Sequence, residues 1–221
     1  DLDWSIKQLH RLIVTSQTYR QDSAIGGLAS ETGEVNRISV RLLNRFPRRR
    51  LEAEIIRDTS LFSAGLLSEK MYGNPVRPPQ PSGVAANFSK SRWTASSGED
   101  RYRRSIYTYQ KRTAPFAMFT TFDAGSGESC IARRDVSNTP LQALTLMNDP
   151  MFVEISQAFG KRIESSAGGT KEKLVKAFQW LLVRPPEPDE IAMLQAFHRK
   201  HQDWTAVARV LLCLDEAISN N

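Results

Sequence analysis

Residues 72 to 100 limit the fold more than any other stretch of this chain. Gly73, Pro75, Pro78, Pro79, Pro81, Gly83 and Gly98 fall among Ser and Asn there. Prolines lack the N–H that a helix or a central strand needs, and glycines lose the most backbone freedom on ordering. No regular element can run through this segment, so it predicts a long irregular excursion between two helical regions.

Before it, Ile6, Leu9, Leu12, Ile13 and Tyr19 keep helical spacing, with Asp3 as a helix start. A short helical piece over 34 to 43 fits next. A stronger helix is expected from Arg48 through Asp58 to about Leu67, with Leu51, Ile55, Ile56, Leu61 and Phe62 as its apolar side. Three arginines at a helix start oppose the macrodipole and call for acids or an external anion. After the excursion, Arg103 to Tyr109 and Ala117 to Phe122 are rich in aromatic and β-branched residues and predict short extended pieces.

Asn138-Thr139-Pro140 and Asn148-Asp149-Pro150 are paired helix starts. Leu141, Leu144 and Met147 would face one way on the first helix, and Phe152, Val153 and Phe159 would be the buried face of the second. Further helices fit 171–183, 188–200 and 203–219, the last apolar on more than one face. The fold class read from these patterns is mainly α: an irregular multi-helix domain with a loop-rich middle and room for a short β-hairpin. Its organisation is one domain over 1–221, with N-terminal helices over 1–71, an irregular middle over 72–136 and a C-terminal helical bundle over 137–221.

Of the 221 residues, 40% are hydrophobic, enough for a proper core, and no window nears the roughly 18 apolar residues of a membrane span. The chain starts at Asp1 without a leader pattern, so a piece of a longer polypeptide is expected. Its 30 basic and 24 acidic residues leave a net charge of +6, with arginine well ahead of lysine. Arginine suits carboxylate, phosphate and sulfate as well as internal ion pairs. The anion-binding candidates are Arg104 and Arg112, from a tract that interleaves bases with Tyr102, Tyr107 and Tyr109, and Arg133 and Arg134, just ahead of a helix start. The plainer readings are an edge strand with protective charges, and a basic pair neutralised by Asp123, Glu128 and Asp135.

No motif fixes a reaction. Cys130 has that basic pair beside it but no histidine near in sequence, and its pairing with Cys213 stays open. His198 and His201 are one turn apart with no third ligand in view, so no metal site is assigned. An enzyme acting on sulfated or otherwise anionic glycans would need two carboxylates, or Cys130 and a base, to meet in a cleft, and the carboxylates to inspect are Glu52, Glu54, Asp58, Asp123 and Asp149.

Several stretches together resemble the planctomycete-type domain of unknown function 1553: Trp4 to Ser16, Thr18 to Gln21, Arg48 to Asp58, Gly98 to Asp100 with Tyr102 to Ser105, Phe122-Asp123-Ala124, Ser137 to Leu144, Leu146 to Pro150, and Trp204 to Glu216. Gly125 stands where that family usually has proline, which loosens the loop toward Cys130. The resemblance implies the C-terminal part of a large exported multidomain protein, periplasmic or secreted, often behind a cytochrome-c-like haem domain. With no Cys-x-x-Cys-His here, this segment is expected to hold no cofactor, and any haem would belong to an upstream region. The leading expectation is an accessory or interaction domain that binds an acidic polysaccharide or other domains of the same polypeptide. The alternatives are an enzyme acting on sulfated glycans and, least favoured, a non-specific nucleic-acid binder.

Overall fold

The fold, a computed structural model, describes residues 4–21, 23, 42, 46, 48–82, 93–112, 114–125, 127 and 129–220. The chain divides into two compact units, Asp1–Arg50 with Ser219–Asn221, and Leu51–Ile218. Among the described residues there are nine α-helices and one two-stranded sheet, so the chain is mainly α.

In the first unit, α1 spans Ile6–Thr15. Its cap is Ser5, whose Oγ accepts the Gln8 N–H at 3.4 Å, whereas Asp3 lies outside the described residues. None of its residues is buried. The helix expected over 34–43 lies outside the described residues except for Leu42. Strand β1, Arg49–Arg50, pairs antiparallel with β2, Ser219–Asn220, in the register Arg49 to Asn220 and Arg50 to Ser219. The arginine run is therefore extended chain and not a helix start.

In the second unit, α2 spans Ala53–Ala64 and ends on Gly65, whose φ of 73° is the left-handed value that glycine adopts without strain. Its buried stripe runs through Ala53, Ile56, Arg57, Ser60, Leu61 and Ala64, while Ile55 and Phe62 are exposed. Residues 103–109 form no strand. Ser105–Tyr107 is a 3-10 turn, and single bridges join Ser68 to Arg103 and Val76 to Thr108. Ala117–Thr121 is a short helix, α3, and not an extended piece. Among the described residues no neighbouring strand offers it hydrogen bonds, and the helical turn buries Met118 and Phe119 with Phe122 behind them.

The helices that follow are α4 (Pro140–Asn148), α5 (Pro150–Ser165), α6 (Thr170–Leu181), α7 (Pro188–His201), α8 (Trp204–Leu212) and α9 (Asp215–Ile218). Proline at the first position starts α4, α5 and α7 as the sequence predicts, because its absent N–H is unneeded there. The expected 203–219 helix stops after Leu212 and resumes at Asp215. The core centres on α5, which buries Met151, Phe152, Ile155, Phe159 and Ile163 against α2 and α8. At Gly160 a Cβ would come within 2.7 Å of the Thr205 backbone nitrogen, so glycine is what lets α5 and α8 approach so closely.

Candidate functional site

Three of the carboxylate candidates, Glu52, Glu54 and Asp58, and one of the arginine candidates, Arg104, line a polar cleft at the N-terminal half of α2. It encloses about 450 Å3, and Glu52, Glu54, Asp58, Arg104, Ser105 and Gln110 contribute polar groups to its lining. Helical spacing places Glu54 and Asp58 one turn apart, and the turn at Ser105–Tyr107 forms the facing wall.

Each carboxylate in this cleft already has a partner. Arg134 forks onto Glu54, Nη1 to Oε2 at 2.7 Å and Nη2 to Oε1 at 3.0 Å, and reaches Glu52 at 3.3 Å. Burial, the largest single influence, would raise the Glu54 pKa, but the hydrogen bonds and charge of Arg134 together with Glu54's own backbone N–H outweigh it and hold the carboxyl below its ordinary range. Asp58 accepts the Ser105 backbone N–H at 2.8 Å and the Ser105 hydroxyl at 2.7 Å. Behind it lies Arg57, with no exposed surface. Its guanidinium donates to the Arg103 carbonyl at 2.7 Å, the Ser105 hydroxyl at 3.2 Å and the Arg101 carbonyl at 3.3 Å. Burial brings the Arg57 pKa down to about 10, so it stays charged at neutral pH.

The basic and tyrosine tract turns largely inward. Arg101 pairs with Glu154, which also accepts the Tyr102 hydroxyl. Arg103 is buried, donates to the carbonyls of Lys70, Tyr72 and Asn74, and stacks over Tyr107 at 3.9 Å. Arg104 borders the cleft, with Met71 sulfur 3.7 Å from its guanidinium. Arg112 and Arg133 are exposed and stand apart from the cleft lining. Of the four anion candidates, Arg104 and Arg134 come to one cleft, and Arg134 is taken by Glu52 and Glu54, not by Asp123 or Asp135. Asp123 instead receives the backbone and hydroxyl hydrogens of Ser137, both at 2.8 Å. Gln142 then bridges Ser137 to the Thr121 carbonyl, both at 3.0 Å, which makes the run into α4 a structural junction.

Cys130 and Cys213 are free thiols, and burial pushes Cys213 up. His198 lies tilted against Trp204 and His201 against Phe197, and no group of three metal-ligating side chains occurs among the described residues.

A second hollow, of about 470 Å3, is mostly apolar. Pro115, Met118, Leu141 and Thr145 contribute to its wall, together with Asp149, the joint between α4 and α5. Leu141, Leu144 and Met147 do share one side of α4, but they point outward, 59%, 53% and 46% exposed, while Gln142 and Leu146 are buried. Sequence reading missed Arg57 and Arg103, because a hydrophobic count never assigns an arginine to a core stripe. It also missed the hollow, whose walls are far apart in the chain.

No curated protein and no solved structure matches the chain. A family model does match over residues 1–198, and its description is PSD1, protein of unknown function (DUF1553). The chain belongs to that family.

Proposed function

We propose that this chain is a non-catalytic interaction domain of a longer exported polypeptide, and that it docks a protein partner, in the first place another domain of the same polypeptide. The observation that carries this reading is the outward apolar stripe Leu141, Leu144 and Met147 beside an apolar hollow. Covering such surface contributes ~25 cal/mol per Å2 removed from water. The exported setting is supported by the family resemblance alone.

The polar cleft argues in the same direction. Glu54 and Asp58 are held by Arg134 and Ser105, so they are engaged in the fold and not free as an acid and base. An acidic polysaccharide is the weaker reading, because Arg134 is already engaged by Glu52 and Glu54, and Arg112 and Arg133 stand apart from Arg104, so the candidate arginines offer no single anion-binding face. The same scatter of arginines disfavours nucleic acid.

The test is calorimetric binding of the 221-residue chain to the remaining domains of its polypeptide, with heparin and duplex DNA as comparison ligands. Domain binding that Leu144→Asp weakens by about tenfold or more is expected. Salt-tolerant heparin binding with no domain binding would replace this reading with glycan recognition.

A further inference from the structure

The hollow beside α4 combines apolar walls with, among the described residues, a single ionisable one. Asp149 is 4% exposed and serves as both the end of α4 and the cap of α5, where Oδ1 accepts the Met151 N–H at 2.9 Å. Every other described residue in the lining is Pro, Ala, Met, Leu or Thr. Among the described residues no basic side chain pairs with Asp149. Glu154, its acidic neighbour one turn into α5, is already engaged by Arg101 and Tyr102.

We infer that the hollow is the anchor pocket for a lysine of the docking partner, its aliphatic stem lying against Pro115, Met118 and Leu141 and its ammonium reaching Asp149. This rests on the reading of the α4 face as the docking surface. Lysine joins an apolar stem to a cationic head, which complement the apolar walls and the carboxylate of this hollow. A neutral aliphatic anchor would leave a buried carboxylate without a counter-charge, and an acidic anchor would add repulsion. Burial already pushes the Asp149 carboxyl up to about 6, and an incoming cation relieves that cost. The volume of about 470 Å3 also lies in the range of small-ligand sites, roughly 300–1,000 Å3, with room for the stem and a flanking apolar group.

The probe is the peptide Ac-Ala-Leu-Lys-Leu-Ala-amide, compared with versions carrying norleucine or glutamate in place of lysine. Each is titrated into the whole chain near neutral pH while the Met118 methyl and the Met151 amide are followed by NMR. The lysine peptide is expected to bind about tenfold more tightly than the norleucine peptide. Asp149→Asn, which keeps a cap acceptor, should remove that difference. Norleucine binding as well as lysine would overturn the inference and leave docking intact, as would absence of any peptide shift while Leu144→Asp still abolishes domain binding. If no peptide shifts Met118 and Leu144→Asp leaves domain binding unchanged, both readings fail.

Discussion

Arg57 is a charged side chain with zero exposure inside the stripe that α2 turns to the core. It is retained there because its planar fork matches acceptors from another part of the chain, the carbonyls of Arg101 and Arg103 and the hydroxyl of Ser105. One residue thereby fastens the stretch from Arg101 to Ser105 to α2. Arg57→Ala would leave those acceptors buried without a donor, and a loss of ~3–5 kcal/mol in unfolding free energy is expected from a urea titration. A loss below about 1 kcal/mol would mean that water replaces the guanidinium freely. Its position was legible as helical periodicity. Its burial was not, because sequence carries no sign of carbonyls that arrive from more than forty residues away.

At the scale of elements, the crossing of α5 and α8 depends on Gly160. Gly160→Ala puts a methyl 2.7 Å from the Thr205 nitrogen and 2.8 Å from its Cα, and both are backbone atoms that cannot swing aside. Separating the helices should cost ~1–3 kcal/mol, visible as a melting temperature lowered by several degrees. An unchanged melting temperature would show that α8 slides without penalty. Helix starts at Pro140, Pro150 and Pro188 were readable because the signal is local. The 3-10 turn at Ser105–Tyr107 was not, because it is set by Asp58 gripping the Ser105 backbone across the fold. Ala117–Thr121 was misread for a related reason. Its aromatic and β-branched residues favour strand, but they find core contacts only when wound as a helix.

For the molecule as a whole, the net charge of +6 says little about what its arginines do. Arg57, Arg101, Arg103 and Arg134 bind the chain to itself, and Arg184 joins Glu190 to Glu216 near the C-terminus. Stability should depend on pH in two opposing ways. Asp149 titrates at about 6 in the folded chain against an ordinary 3.8, so the folded state binds its proton more readily than the unfolded state. Its contribution is fully present below about pH 4 and is lost as pH rises through 6. Glu54 and Glu190, held low by Arg134 and Arg184, act in the other sense and lose their contribution on acidification. Unfolding free energies of the protein and of Asp149→Asn, compared from about pH 4 to 7.5, should diverge as the carboxyl ionises. Parallel curves would contradict the burial of that carboxyl.

While part of the proline- and glycine-rich stretch over 72–100 lies outside the described residues, the sequence by itself determined the mainly helical class and the points where the C-terminal helices begin. These are local matters of backbone hydrogen bonding and side-chain period, settled within a few residues. Tertiary structure alone decided that Leu141, Leu144 and Met147 face outward, that Glu54 and Asp58 are engaged by Arg134 and Ser105, and that Asp149 lines an apolar hollow. A side chain's free energy depends on which distant groups surround it, and only the folded chain supplies those neighbours.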